Sequence, residues 1–463
     1  MFLDIDKRSN SDIAVIDDSN QTYTYGDIKN FSREFYEAIH KRTLIFIFAD
    51  NSFGSLATYV ACLNNGIVPL LISSEIDHAF SDKLINTYKP EYLWAPQDSR
   101  YISKGDHLIS KYGYALVKID NVSHTFHNDL SLLLSTSGST GRPKLVRHSY
   151  ENVEANAQNV ADFFGLNKKQ IAVAILPIHY TMGLSVITSH LKVGATILMT
   201  NRRLTDKKFW QSIKEYKATS FTGVPYSFEI LDKLRFTRMD LPHLEILSQG
   251  GGKMSDRLFK KFADFSEKNN IKFFATYGQT EGTARMAYLA PEYATKKIGS
   301  IGKAIPNGKF YLINEHGNII NDTKASGELV YQGPNVTMGY ANSLKDLSLG
   351  DENKGTLKTG DFAKRDKDGF YYIVGRKKRF LKLYGTRVSL DEVERLIKSN
   401  FQIDCVCKGN DDLLEVYITD KDQIHMVHEL IVEKIKLFHK AFSVKFIEKI
   451  ERNKSGKIML NKI

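Results

Sequence analysis

The chain of 463 residues has no apolar stretch long enough to cross a lipid bilayer. Hydrophobic segments such as LIFIFA (44–49) and GIVPLLI (66–72) fall well short of the roughly 20 apolar residues that a spanning helix needs. The first residues, MFLDIDKRSN, lack the charged and then apolar pattern of a secretion signal. We therefore expect no integral membrane segment and no export.

Cysteine is also scarce. The three cysteines are Cys62, Cys405 and Cys407, an odd number without the paired spacing of zinc ligands. This usage predicts neither a disulfide nor a zinc site and favours the reducing environment of the cytoplasm. Cys405 and Cys407 are expected to lie on opposite faces of one strand as packing residues.

Positive charge is in excess, with a net charge of +11. Nucleic acid is one partner that such a charge indicates, but the basic residues are scattered and form no dense tract, so we expect no nucleic-acid binding. Residues 376–463 carry a net charge of +6, more than half of the excess. This segment is either a solvated basic face or a docking face for an anionic partner, such as an acidic carrier protein or a phosphorylated cofactor.

Strand-like and helix-like segments alternate through the first 300 residues. The pattern LIFIFAD (44–50), SFGSLATYVACLNNG (52–66) and IVPLLIS (67–73) is typical. It predicts an α/β fold with parallel sheets covered on both faces. Glycine-rich loops then fall at the carboxyl ends of strands, where open α/β sheets bind ligands.

The pattern changes after about residue 300. Short alternating segments such as GELVYQG (327–333) predict a small antiparallel, barrel-like portion. Beyond Gly375 the segments predict a compact α+β unit that includes a hairpin, FLKLYGTRVS (380–389), and a helix capped by Ser389. We therefore predict two domains, residues 1–375 and 376–463.

The stretch STSGSTGRPK (135–144) is rich in hydroxyl groups and glycine and directly follows the predicted strand LSLLL (130–134). On its own it fits a plain solvated loop as well as a phosphate-binding loop. It is not a Walker loop, since no Gly-Lys pair in the chain is followed by Ser or Thr. Its candidate phosphate ligands are Thr136, Ser137, Gly138, Ser139, Thr140, Gly141 and Lys144.

Four further motifs follow in order: YGQTEG (277–282), TGD (359–361), GRKKRFLKLYGTRV (375–388) and NKSGKI (453–458). Each is weak alone, but the ordered set of five is highly specific. On these motifs the chain resembles the adenylate-forming superfamily of acyl-CoA synthetases, peptide-synthetase adenylation domains and luciferases. The resemblance implies layered α/β sheets with a barrel-like portion in a large domain, followed by a small mobile α+β domain.

The resemblance also implies a two-step reaction. A small organic carboxylic acid attacks the α-phosphate of ATP in the presence of Mg²⁺, which gives an acyl-adenylate and pyrophosphate. A thiol, from coenzyme A or from the phosphopantetheine of an acidic acyl carrier protein, then displaces AMP.

The motif residues receive roles by the same resemblance. Glu281 matches the magnesium-binding glutamate, and a carboxylate is the hard donor that Mg²⁺ prefers. Thr280 matches the contact to the α-phosphate, and Tyr277 the tyrosine that stacks on adenine. Asp361 resembles the aspartate that accepts the ribose hydroxyls, and Arg376 the arginine near ribose and phosphate.

The C-terminal motifs match the mobile C-terminal domain of the family. Lys457 matches the mobile lysine that neutralises charge on the attacking carboxylate and the α-phosphate. Lys378 occupies the hinge position, and Gly385 matches the glycine that lines the pantetheine tunnel. A solvated lysine and an ordinary turn glycine are the alternative interpretations of these last two residues.

The acid pocket is expected around LPIHYTMGLSV (176–186) and QGGGK (249–253). Tyr180 falls at the gating position, while His179 is expected to be a packed histidine. Gly183 stands where amino-acid-activating members place an aspartate, so an aryl or aliphatic acid is favoured over an α-amino acid. The three glycines Gly250, Gly251 and Gly252 either make room beside adenine and the acid or form a tight turn.

Two positions depart from the family pattern. Leu145 follows Lys144 where the family has glycine, and Glu451 stands where the lysine motif begins with proline. These departures leave open a non-catalytic relative that docks a carrier protein. Another ATP user that releases ADP is a second alternative, which the missing Walker motif opposes.

Overall fold

The structure is a computed structural model that describes residues 1–135, 144–383, 386–410, 412–435, 437–453 and 456–463. Outside these ranges lie the predicted phosphate ligands Thr136, Ser137, Gly138, Ser139, Thr140 and Gly141 and the predicted tunnel glycine Gly385. The side chain of Lys378 also lies outside the description.

The described residues form strands and α-helices in alternation through the first half of the chain. The strands are β1 (Ile13–Ile16), β2 (Thr22–Thr24), β3 (Leu44–Ala49), β4 (Val68–Ser73), β5 (Tyr92–Pro96), β6 (Asp106–Lys111), β7 (Tyr114–Lys118), β8 (Leu130–Ser135), β9 (Leu145–Ser149), β10 (Ile171–Ala174), β11 (Thr196–Met199), β12 (Ser220–Gly223), β13 (Ile246–Gln249), β14 (Lys272–Tyr277), β15 (Ala287–Leu289), β16 (Lys303–Ala304), β17 (Lys309–Ile313), β18 (Ala325–Gln332), β19 (Gly339–Ala341), β20 (Thr356–Arg365), β21 (Tyr371–Arg376), β22 (Phe380–Leu383), β23 (Thr386–Ser389), β24 (Cys405–Gly409), β25 (Leu414–Ile418) and β26 (Phe442–Phe446). The helices are α1 (Tyr25–Ile39), α2 (Phe53–Asn64), α3 (His78–Tyr88), α4 (Tyr150–Phe164), α5 (Thr181–Lys192), α6 (Lys207–Glu215), α7 (Pro225–Lys233), α8 (Asp256–Lys268), α9 (Pro291–Ala294), α10 (Leu390–Phe401) and α11 (Ile424–Ile435).

Two large sheets form the body of the protein. The eight-stranded sheet has the order β19-β9-β8-β4-β3-β5-β7-β6, and the nine-stranded sheet has the order β16-β15-β14-β13-β12-β10-β11-β1-β2. Pairing is parallel at the centre of each sheet, as predicted, but antiparallel at the edges. The edge strands β9 and β15 follow their neighbours after too few residues to form a crossover helix, so they pair antiparallel.

Alternation along β3 shows how the layers are held together. Ile45 and Ile47 belong to the core cluster that α2 and α5 share with both sheets. Phe46 and Phe48 face the opposite way, into the cluster that α3 covers. A third cluster packs α6, α7 and α8 on the outer face of the nine-stranded sheet. The predicted α/β architecture of layered sheets is therefore confirmed.

The rest of the chain is antiparallel sheet and a C-terminal α+β segment. Strands β17, β18, β20 and β21 form a four-stranded antiparallel sheet. After it, β22 and β23 form the predicted hairpin, and the hydroxyl of Ser389 accepts a hydrogen bond from the backbone N–H of Glu392 at the start of α10. The last core cluster draws its buried residues from positions 381–442.

The expectation that Cys405 and Cys407 face opposite ways is wrong. Both are buried on β24 and belong to the same core cluster. Side chains two residues apart on a strand share a face, and only adjacent residues alternate. Burial raises the pKa of the Cys405 thiol to about 12, so it stays a packing residue at neutral pH.

In the described ranges, no helix combines the length and the apolar composition that crossing a membrane requires.

Candidate active site

The carboxyl ends of β13 and β14 lie side by side, with Gln249 paired to Ala275. Beyond β13 the chain turns at Gly251, which has a φ of +74°. A Cβ atom at Gly251 would lie 2.6 Å from the hydroxyl oxygen of Tyr180, and one at Gly250 would overlap the hydroxyl oxygen of Thr276. The glycines are therefore required by a tight turn that packs against Tyr180. Gly252 comes less close, with Pro225 Cγ 3.2 Å from its Cβ position.

The end of β14 is tied to the antiparallel sheet through Asp361. The Tyr277 hydroxyl donates to Asp361 Oδ2 at 2.5 Å, and Gln279 Nε2 donates to the same oxygen at 2.9 Å. Arg376, the register partner of Asp361 on β21, places Nε 3.5 Å from Asp361 Oδ1. Asp361 on β20 and Arg376 on β21 are both predicted nucleotide ligands. They thus form an ion pair beside Tyr277.

Burial dominates the electrostatics of this carboxylate. Asp361 is only 3% exposed, and burial raises its pKa above the usual value, against the lowering effects of Arg376, Tyr277 and Gln279. Burial and the charge of Asp361 also raise the pKa of Tyr277 well above its usual value. Tyr277 therefore remains a neutral donor that fixes the orientation of Asp361.

Glu281 lies in a short 3-10 turn (Thr280–Gly282) directly after β14. Its Oε1 accepts a hydrogen bond from the Tyr340 hydroxyl at 2.6 Å. The Nζ of Lys144 lies 5.1 Å from the centroid of the same tyrosine ring. Lys144, the described end of the predicted phosphate loop, is thus close to the predicted magnesium ligand. The hydroxyl of Thr280 accepts from that of Thr181, at the start of α5, at 2.9 Å.

Lys457 reaches this region from the far end of the chain. Its Nζ lies 5.2 Å from the centroid of the Tyr180 ring. The preceding Gly456 has a φ of +74°, and a Cβ there would lie 2.9 Å from Val224 Cγ2. The guanidinium of Arg452 stacks 5.4 Å from the ring centroid of Tyr226. The lysine loop is therefore packed against the large body with its lysine turned inward.

The surroundings of Lys457 lower its pKa. Burial is the main cause, the positive charge of Arg376 adds to it, and the negative charge of Glu281 opposes it. Lys457, Arg376 and Glu281 are thus close enough to act on one another. With Asp361 paired to Arg376, residues from β14, β20, β21 and the C-terminal loop converge on one place.

Gly183 has a packing role in the structure. It lies inside α5, and a Cβ atom there would overlap the carbonyl oxygens of Pro177 and Leu176. No side chain fits on this backbone, so the absence of an aspartate at Gly183 follows from packing. The preference against α-amino acids thus has no support from this position.

We expect Gly183→Ala to lower the free energy of unfolding by about 1–3 kcal/mol, because the added methyl group overpacks a close backbone contact. Urea denaturation measures the change. The matched control is Ser185→Ala on the same helix. Its buried hydroxyl has no hydrogen-bond partner among the described residues, so the control is expected to be nearly neutral. Equal stability of the two variants would contradict this packing role.

Two residues of the site were not predicted from the sequence. Gln279 lies inside the YGQTEG motif, but only Tyr277, Thr280 and Glu281 there were given roles from the sequence. Tyr340 follows Glu281 by 59 residues and belongs to no motif, so no sequence signal points to it. His179, expected to be packed, has its Nδ1 atom buried.

A family model described as AMP-binding enzyme matches residues 4–341, which is most of the chain. The chain belongs to this family, as the sequence predicted. It is 26% identical over 429 residues to the 2-succinylbenzoate–CoA ligase of Bacillus licheniformis, covering 88% of this chain and 84% of that protein. It is 30% identical over 275 residues to the oxalate–CoA ligase of Arabidopsis thaliana, covering 58% of this chain and 52% of that protein.

The fold is similar to two solved structures. One is the o-succinylbenzoate CoA synthetase of Bacillus subtilis in complex with an acyl-adenylate, with a TM-score of 0.81, 20% identity, and coverage of 100% of this chain and 97% of that chain. The other is ATP-bound MatB from Rhodopseudomonas palustris, with a TM-score of 0.80, 18% identity and the same coverage. The predicted fold of the adenylate-forming enzymes is thereby confirmed, and the predicted ligase class agrees with the CoA-ligase names of the sequence relatives.

Proposed function

We propose that this chain is an ATP-dependent acid–thiol ligase. It activates a carboxylic acid as an acyl-adenylate with release of pyrophosphate, and it then transfers the acyl group to coenzyme A. The observation that carries the proposal is the convergence of Glu281, Asp361 and Lys457 at one place in the fold. Membership of the AMP-binding family and the CoA-ligase relatives support it.

The nucleotide binds across the ends of β13, β14 and β20 in this proposal. Asp361 accepts the ribose hydroxyls, Arg376 lies near ribose and phosphate, and the ring of Tyr277 stacks on adenine beside the turn at Gly251. Lys144, with the loop that precedes it, binds the pyrophosphate half. Preorganised positive charge of this kind stabilises the charge that develops on the phosphates in the transition state.

Glu281 fits a magnesium ligand by its chemistry and position. A carboxylate is the hard oxygen donor that Mg²⁺ prefers, and Mg²⁺ is commonly held by one or two carboxylates together with substrate phosphates and water. Tyr340 orients Glu281 by a hydrogen bond, and Lys144 lies beside that tyrosine. The ion would neutralise phosphate charge when bound.

We propose that the two steps use two placements of residues 376–463. The core cluster confined to positions 381–442 supports a separate C-terminal unit. In the structure the lysine loop contacts Val224, Tyr226 and Tyr180, an arrangement suited to adenylation. Rotation at Lys378 would withdraw Lys457 and bring Gly385 to the pantetheine path for the thioester step.

Coenzyme A is the proposed acceptor, and an acidic carrier protein is the alternative that the basic C-terminal unit also suits. The non-catalytic alternative depended on two departures from the family pattern, Leu145 and Glu451. The surroundings of both residues weaken it. Leu145 begins β9 as a fully buried core residue that pairs with Ala341, which is a packing reason for leucine at this position. The carboxylate of Glu451 forms an ion pair with Lys449 at 3.1 Å.

We place the protein in the cytoplasm on its cysteine usage alone.

The proposal is tested with ATP, Mg²⁺ and a panel of carboxylic acids, followed by exchange of radiolabelled pyrophosphate into ATP. Acid-dependent exchange is expected, and addition of coenzyme A should give AMP and a thioester by mass spectrometry. ADP as the product would indicate another class of ATP user. Binding of a carrier protein without AMP formation would favour the non-catalytic alternative.

We expect the adenylation rate to fall at alkaline pH with a midpoint below 10.5, the ordinary pKa of lysine, because Lys457 acts protonated and its pKa is lowered. The profile of kcat/KM for pyrophosphate exchange reports this pKa in the free enzyme. Arg376→Gln removes a nearby positive charge, so the alkaline limb should move to higher pH. Arg395→Gln is the control, an exposed arginine paired with Glu392. If the alkaline limb had the same midpoint in wild type, Arg376→Gln and Arg395→Gln, its assignment to Lys457 would be contradicted.

A further inference from the structure

Arg285 is a fully buried arginine that has no counter-ion among the described residues. It lies between the Glu281 turn and β15, is 1% exposed, and none of its three side-chain nitrogens has a hydrogen-bond partner among the described residues. No acidic side chain in those ranges forms an ion pair with it. Buried charges in proteins are almost always paired, because an uncompensated buried charge is strongly destabilising. Within the described ranges this guanidinium has an aromatic neighbour, Phe164, but no hydrogen-bond acceptor.

The main chain holds Arg285 in place independently of its charge. The backbone oxygen of Arg285 accepts from Asn156 Nδ2 at 2.8 Å and from Asn335 Nδ2 at 3.2 Å. The guanidinium carbon lies 4.9 Å from the ring centroid of Phe164. The side chain is thus positioned against the end of α4, while its nitrogens remain unsatisfied.

Two buried serines, Ser248 on β13 and Ser185 on α5, carry further polar groups without a partner in the described part of the chain. Ser248 on β13 is the register partner of Phe274, whose ring packs 4.7 Å from that of Phe164. The buried hydroxyls of Ser248 and Ser185 have no hydrogen-bond partner among the described residues. Arg285, Ser185 and Ser248 are thus three buried residues whose donors have no partner among the described residues. All three can donate hydrogen bonds to an anion.

Arg285 lies beside the turn that carries Glu281, because Asn335 Nδ2 donates to the backbone oxygens of both Gly282 and Arg285. Burial raises the pKa of Tyr180 to about 12, and the charges of Arg285 and Arg376 oppose that rise. The charge of Arg285 thus acts on Tyr180, over whose ring Lys457 packs. Burial lowers the pKa of Arg285 to about 9, so the guanidinium remains protonated at neutral pH.

We propose that the acid activated by this chain carries a second carboxylate, and that Arg285 binds this second carboxylate. The inference rests on the proposed ligase function and names its substrate class. The reacting carboxylate meets Lys457, while the other pairs with Arg285. An arginine forms short, charge-assisted hydrogen bonds to a carboxylate, commonly two at once. A monocarboxylic acid leaves the guanidinium unpaired and is rejected.

The test compares dicarboxylic acids with monocarboxylic acids of equal carbon number. Suitable pairs are malonate and propionate, succinate and butyrate, glutarate and valerate, and phthalate and o-toluate. Pyrophosphate exchange is measured for each. At least one dicarboxylic acid is expected to exceed its partner by about 10²-fold or more in kcat/KM. A panel in which monocarboxylic acids are activated equally well or better overturns the inference and leaves the ligase proposal standing.

Arg285→Met tests the residue itself with a neutral side chain of similar length. It is expected to lose about 10²-fold or more in kcat/KM for the preferred dicarboxylic acid while keeping activity on the matched monocarboxylic acid. Its thermal unfolding midpoint should be unchanged or higher, because a buried unpaired charge has been removed. Equal loss on both acids together with a lower midpoint would show that Arg285 is structural.

Direct binding separates the inference from the ligase proposal. Calorimetric titration of the same dicarboxylic acids into the wild-type chain, in the presence of a nonhydrolysable ATP analogue, needs no turnover. Binding by wild type and loss of binding by Arg285→Met support the inference even if no exchange is seen, in which case the ligase proposal alone fails. Absence of binding by any acid of the panel, or unchanged binding in the variant, overturns the inference.

Discussion

Lys457→Ala is expected to slow acid-dependent pyrophosphate exchange by about 10²-fold or more, the scale of losing one preorganised electrostatic group. The physical reason is that Lys457 brings a positive charge to the place where Glu281, Arg376 and Tyr180 meet. The same variant should form thioester from synthetic acyl-adenylate and coenzyme A at close to the wild-type rate. Each half-reaction is followed separately, the first by isotope exchange and the second by mass spectrometry.

Lys449→Ala is the matched control for this prediction. Lys449 lies in the same C-terminal unit, is 74% exposed and pairs only at the surface with Glu451. It should leave both half-reactions within about twofold, since exposed ion pairs contribute little. If Lys457→Ala slowed the two steps equally, the proposed alternation of the C-terminal unit would be wrong.

Glu281→Gln is expected to reduce pyrophosphate exchange by about 10²–10³-fold at fixed Mg²⁺. The amide keeps the shape of the side chain and can still accept a hydrogen bond from Tyr340, but it loses the negative charge that a hard divalent cation requires. The concentration of Mg²⁺ that gives half-maximal rate should rise. A titration of rate against Mg²⁺ at constant ATP measures both effects.

Glu292→Gln serves as the control for Glu281→Gln, because Glu292 is an exposed glutamate on α9 outside the site. It should leave the Mg²⁺ titration unchanged. A Glu281→Gln variant with a reduced rate but an unaltered half-maximal Mg²⁺ concentration would remove Glu281 from metal binding. It would then have a role in shaping the turn beside Tyr340.

Local sequence patterns predicted the parts of the fold that depend on neighbouring residues. The buried strand at 44–49 and the helix that follows it came from hydrophobic periodicity, and Ser389 caps its helix as expected. The antiparallel edges β9 and β15 were missed, since strand direction depends on the length of the connection as much as on the strand itself. The error for Cys405 and Cys407 was one of strand geometry.

The site was predictable only where its residues lie in compact motifs. Asp361 and Lys457 belong to short motifs that can be recognised in the sequence. Tyr340 and Arg285 belong to no such motif. A buried arginine in the segment TARMAY (283–288) looks like any other arginine until the structure shows that no described carboxylate pairs with it. Gly183 says nothing about the substrate class, because its close contacts with the carbonyl oxygens of Pro177 and Leu176 already account for the absence of a side chain.

The most direct measurement of the central claim follows oxygen-18 from a labelled carboxylic acid through complete turnover with ATP and coenzyme A. Attack of the carboxylate on the α-phosphorus predicts AMP that carries one labelled oxygen, with unlabelled pyrophosphate. Label in inorganic phosphate, or AMP without label while the thioester forms, would contradict the claim that this chain works through an acyl-adenylate.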